Sequence, residues 1–103
     1  MQPRLIYTTF PSEEIASELS ETLVKEGLVR CANILGTGRS IFRWEGAVES
    51  ARETFAIFKT TDDKLADLER RFHEFHPYDV PAFIVLAPEA VSEAYRSWLL
   101  GSE

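Results

Sequence analysis

Ile41-Phe42-Arg43-Trp44-Glu45-Gly46-Ala47-Val48-Glu49-Ser50-Ala51-Arg52-Glu53-Thr54-Phe55-Ala56-Ile57-Phe58-Lys59 decides the fold. Glu45-Gly46 is a turn signal between two runs rich in β-formers. Ile41 to Trp44 ends one strand, and Val48 to Lys59 makes the next. Side chains alternate along a strand, so Phe55 and Ile57 share one face while Ala56 and Phe58 share the other. Both faces are partly apolar, so this strand is expected to be covered on both sides. One small two-layer domain does not supply that much cover, which points to a partner. Upstream the chain is already β-like from Leu28, and Gly36-Thr37-Gly38 should bulge or bend it near Ile34. Each arm then runs to roughly twice the usual 5–6 residues. Such a hairpin must project past its core, and open edges invite pairing. A closed ring of subunits would cover them.

Outward from the hairpin the elements alternate. Leu5 to Phe10 is a short strand. Ser12 can accept a hydrogen bond at a helix start, and Glu13 and Glu14 suit the positive end of the helix dipole. Ile15, Leu19 and Leu23 recur at helical spacing, and Gly27 is a natural stop. After the hairpin, Thr61-Asp62-Asp63 reads as a second helix start of the same kind. Leu65, Leu68, Phe72 and Phe75 form its stripe, and Pro77 ends it. Ala82 to Leu86 is a compact apolar strand. Pro88-Glu89 opens a last helix with Val91, Ala94, Tyr95 and Trp98 as its stripe, closed by Gly101. The order β-α-β-β-α-β plus a helix is the ferredoxin-like α+β plan, an antiparallel sheet with both main helices on one face. We expect one domain over residues 1–103.

The composition narrows the function. Seventeen acids against eleven bases give a net charge of −6, which repels a phosphate backbone or an anionic membrane. The single Cys31 allows no internal disulfide and fits a reducing compartment. The opening Met-Gln-Pro-Arg-Leu-Ile-Tyr lacks a signal-peptide core. These features lead us to expect a cytoplasmic protein that binds neither nucleic acid nor membrane.

No Walker loop, GxGxxG, HExxH or CxxC pattern occurs. Cys31 could be a nucleophile or soft ligand, but near a strand start it reads as a small core residue. His73 and His76 are three apart, yet His76 precedes a proline, which pulls it out of the helix. Glu49 and Glu53 share a strand face and could form an acid/base or cation pair. They read more simply as a solvated face. Trp98 fits its helix's core stripe. Trp44, at the hairpin tip, suits an interface or cleft. His76-Pro77-Tyr78-Asp79-Val80-Pro81 is the most distinctive stretch. Its two prolines preset φ and make a rigid loop, either a plain connection or the rim of a pocket.

The segments Cys31-Ala32-Asn33-Ile34, Ser40 to Gly46, Lys59-Thr60, His76 to Pro81 and Tyr95 to Leu99 resemble the CutA divalent-cation-tolerance family in order and spacing. The resemblance spans Leu5 to Leu99. It implies a ferredoxin-like subunit in a homotrimer, with long strands pairing between subunits as in the PII nitrogen-regulatory proteins. It implies a cytoplasmic role in tolerance of copper and other divalent ions, exercised by sensing or signalling. Matched position by position, Cys31, Asn33, Trp44, Glu45, Lys59 and Tyr78 are expected to line ligand clefts between subunits. His76 is the expected metal ligand. The implied cofactor is a divalent metal, copper or zinc, with no organic cofactor. The copper site of some members uses a Cys in strand one and two consecutive histidines. Here those positions are Thr8 and Phe75-His76, so only His76 remains of that set.

The expected function is therefore a non-catalytic homotrimer that binds a metal ion or small anionic ligand in an inter-subunit cleft. Two alternatives stand beside it. One is a structural or adaptor trimer that binds a protein partner. The other is a small acyl- or phosphoesterase resembling the acylphosphatases, although no anion-binding glycine loop with an Arg follows strand one.

Overall fold

The computed structural model describes residues 1–101. Its elements are β1 (Pro3–Phe10), α1 (Glu13–Lys25), β2 (Cys31–Trp44), β3 (Ala47–Thr61), α2 (Leu65–Phe75), β4 (Ile84–Leu86) and α3 (Glu93–Leu99). The four strands form one antiparallel sheet in the order β2-β3-β1-β4. This is the α+β plan read from the sequence, with the additional C-terminal helix.

Local chemistry explains α1. The Ser12 hydroxyl accepts the Ile15 N–H at 3.2 Å and satisfies one orphan donor of the first turn. Gly27 takes φ of 75° just past the helix, a conformation that costs glycine little. Between these signals Ala16, Leu19 and Leu23 are buried toward the sheet.

Strand alternation builds the core. Ile6 faces Phe58 across the β1–β3 ladder, and Phe10 faces Thr54. Ile6, Phe10, Ala56 and Phe58 are fully buried and pack with α1 and with Leu68 and Phe72 of α2. Phe10, Phe58 and Phe72 form a triangle with ring centroids 6.3 Å apart. On the opposite face Leu5, Tyr7, Phe55 and Ile57 are only half buried. Helix α3 reaches that face at its Lys59 end, where Lys59 Nζ donates to the Tyr95 hydroxyl at 3.2 Å.

Several local expectations change. Thr61 makes no capping bond, because it is still the last residue of β3 and is buried; a 3₁₀ turn at Asp62–Lys64 precedes α2. The Asp62 carboxylate instead accepts the Gln2 N–H at 2.9 Å, closing the β1–β3 end of the sheet. Phe75 is not core: it is half exposed, with the Arg71 guanidinium 4.1 Å from its ring centroid. Strand β4 is shorter than expected. Helix α3 starts at Glu93 rather than near Pro88, and only its Leu99 is buried.

The hairpin is as long as the sequence suggested: β2 has 14 residues and β3 has 15. A bulge lies between Ile34 and Gly36, where Gly36 adopts φ of 121°. Beyond Thr54 there is no β1 residue left to pair with β3. The two arms continue alone, stretching the molecule to 46 × 26 × 23 Å. The radius of gyration is 14.4 Å, against about 13 Å for a compact domain of 100 residues.

Two substitutions separate the contributions. Phe72→Ala should cost about 3–5 kcal/mol, because it opens a cavity inside the aromatic triangle. Ser12→Ala should cost about 1 kcal/mol, the worth of one cap. Urea unfolding should rank them in that order, and equal losses would contradict this assignment of the core.

Candidate functional site

The site begins where α2 stops. His76 precedes Pro77 and adopts extended backbone, φ −69° and ψ 132°. This turns the chain away from the helix axis. The His76 ring is 7% exposed. It stacks on Phe10 and leans on Phe72, with centroids 4.9 Å away in both cases. Its Nε2 lies 2.8 Å from the carbonyl oxygen of Thr9, and the Tyr78 N–H donates to Nδ1 at 3.1 Å. A carbonyl can only accept and an amide N–H can only donate, so these partners assign a neutral ring protonated on Nε2.

The loop then locks onto β3. The Tyr78 hydroxyl donates to Glu53 Oε2 at 2.8 Å. Glu53 is only 8% exposed. Its burial opposes ionisation, but hydrogen bonds from Ser40, Tyr78 and Thr9 outweigh that and hold its pKa below the ordinary carboxylate value. Burial and the facing Glu53 push the Tyr78 phenol up to about 12. Glu53 is thus a fixed negative charge at neutral pH, and Tyr78 a fixed donor.

Between this loop and the projecting hairpin lies an open groove of about 830 Å³. Its aromatic wall is Phe42 and Trp44 from β2 with Tyr78 from the loop. Its acids are Glu49 and Glu53 from β3 and Asp79 from the loop, and no Lys or Arg lines it. The groove exists because β3 outruns β1, leaving the loop to flank the strand where a neighbour would otherwise sit.

The structure divides the expected cleft residues into two sets. Trp44 and Tyr78 both line the groove. Cys31, Asn33 and Lys59 lie toward the other end of the sheet, where Cys31 faces Lys59 and Asn33 faces Ile57. Glu45 sits in the exposed hairpin turn with φ of 49°. Glu53 and Glu49 belong to the groove although they read as a solvated face. Their spacing on one strand face was the available signal, and only the returning loop gives it meaning. His73 is an exposed helix residue, 3.7 Å from Glu69.

The residues present do not fit a copper site. Both ring nitrogens of His76 are engaged, and a metal could take Nδ1 only by displacing the Tyr78 N–H. Thr8 is buried and offers no thiolate, and Phe75 offers no imidazole. Among the described residues no three His, Cys, Asp or Glu side chains converge to hold an ion.

Comparison with known proteins agrees with this architecture. The family model described as CutA1 divalent ion tolerance protein matches residues 4–102. The divalent-cation tolerance protein CutA of Pyrococcus horikoshii is 45% identical over 96 residues, covering 93% of each chain. The crystal structure of the divalent ion tolerance protein CutA1 from Ehrlichia chaffeensis superposes with a TM-score of 0.92 at 32% identity, over 98% of this chain and 94% of that one. The periplasmic divalent cation tolerance protein CutA of Archaeoglobus fulgidus gives 0.93 at 30% identity, over 98% of both.

The His76 lock has a pH signature. Burial is the main cause holding the His76 pKa below 6.5, partly offset by the bond to Thr9. The unfolded ring therefore takes up its proton at higher pH than the folded one. The stability it contributes is fully present above about pH 6.5 and is lost as pH falls through the lower folded value. Urea unfolding between pH 7.5 and 5.5 should show that decline in the wild type and a flatter profile in His76→Gln. Identical profiles would contradict the assignment.

Proposed function

This chain belongs to the CutA1 divalent ion tolerance family, and from that premise we propose that it works as a homotrimeric, non-catalytic protein of the divalent-cation response. The observation that carries the reading is the surface the single subunit leaves open. Strand β4 is a sheet edge, and its Ile84, Val85 and Leu86 are all exposed. Strand β2 is the other edge and runs on to a tip where Ile41 is exposed, as is Val48 on the facing strand. Unpaired apolar edges favour strand addition. Two different edges meeting head to tail make a heterologous contact, which a ring of subunits closes. The PII-like arrangement expected from the sequence has that form.

The groove is the proposed ligand site of this assembly. Its chemistry supports a binder over a catalyst. The Tyr78 phenol is pushed up to about 12, and the His76 nitrogens are committed to Thr9 and Tyr78. Neither is an activated nucleophile or a free base. The acidic lining also repels the phosphates that an acylphosphatase-like enzyme would take, and the small anionic ligand first expected. A divalent ion such as copper or zinc remains part of the proposal as the ion to which the protein responds. Its ligands would come from more than one subunit, since among the described residues of this one no three donors converge. We place the protein in the cytoplasm on its single cysteine, which allows no internal disulfide. No helix among the described residues is long and apolar enough to cross a membrane.

Native mass spectrometry should give three times the 11.7 kDa subunit mass. Leu86→Asp, which puts charge on an already exposed edge position, should shift the population to monomer without unfolding it. A monomeric wild type would overturn the reading.

A further inference from the structure

Three aromatic side chains and three carboxylates share one open cavity with no basic residue in its wall. Trp44 and Phe42 are 49% and 41% exposed in the single subunit. An aromatic face attracts a cation through its quadrupole, most strongly where the cation is also desolvated. Glu53 lies in the groove wall as a carboxylate already held ionised by its donors. Glu49 and Asp79 are exposed at the same cavity and less constrained. The volume, about 830 Å³, falls within the range of small-molecule sites.

A bare metal ion would use only part of this. Hard cations want converging oxygens, and the three carboxylates do not converge. Aromatic walls contribute little to a hydrated divalent ion. An anion meets three like charges. The occupant that satisfies both the aromatic and the acidic components carries a diffuse positive charge on an apolar body.

We propose that this groove binds a small organic cation, an ammonium or guanidinium head on an apolar skeleton. Its charge pairs with Glu49 and Asp79 at the groove, and its body lies against Trp44 and Phe42. The proposal rests on the groove being the ligand site of the assembled protein, and it names the class of ligand.

Isothermal titration calorimetry on the intact wild-type protein tests it with four probes: phenethylamine, its neutral analogue 2-phenylethanol, the anion phenylacetate, and calcium ion. Phenethylamine should bind at least about tenfold more tightly than the other three. Glu49→Gln and Trp44→Leu, both at exposed positions, should each weaken it severalfold to about tenfold, with circular dichroism unchanged. Tighter binding of phenylacetate, 2-phenylethanol or calcium would overturn the ligand class while leaving the groove as a site. Phenethylamine binding that neither substitution weakens would place the amine elsewhere and overturn the proposal. No binding by any probe would overturn both this inference and the groove reading beneath it.

Discussion

The structure depends on a mismatch in strand length. Strand β1 ends at Phe10, opposite Thr54, while β3 begins at Ala47. Seven residues of β3 therefore lack a β1 partner. The backbone groups they leave open are costly to bury without partners, and such an edge attracts other chains. The protein answers by bringing the chain after α2 back alongside the overhang. His76 fixes that return to the end of β1 through the Thr9 carbonyl, and Tyr78 fixes it to β3 through Glu53.

The same mismatch accounts for the chemistry. Because the loop does not pair with β3 as a strand would, a groove remains between them. Because Glu53 points into that region, it needs donors, and Ser40, Thr9 and Tyr78 supply them. Their hydroxyls are consumed in holding a charge. The result is a preorganised acidic surface beside exposed aromatic rings. Electrostatic complementarity of this sort selects partners by sign and shape.

Much of the fold was legible in the residues. The cap at Ser12, the turn at Glu45-Gly46, the bulge near Gly36 and the alternation from Phe55 to Phe58 are local signals, and they survive in the folded chain. The failures have a common cause. Thr61 looks like a cap by type, but the β1–β3 pairing extends through it. Phe75 and Tyr95 continue apolar stripes, yet both stay partly exposed, Phe75 against Arg71 and Tyr95 against Lys59 rather than in the core. Tertiary reach decided those positions. The site was half legible. Trp44 was singled out by its place at the hairpin tip and Tyr78 by its rigid loop, and both line the groove. Glu53 looked like a solvated carboxylate, since nothing near it in sequence shows that the residues after α2 will cover it. Cys31, Asn33 and Lys59 match family positions but lie at the other end of the sheet from the groove.

The claim that the loop is locked by a neutral, singly oriented His76 ring is the one on which the groove, its charge and its rigidity rest. Long-range ¹H–¹⁵N correlation spectra of the imidazole at pH 7.5 test it directly. A single His76 signal set is expected, with Nε2 protonated, Nδ1 unprotonated, and slow exchange of the Nε2 proton with solvent. A ring protonated on Nδ1, or one averaging rapidly between both tautomers, would contradict it.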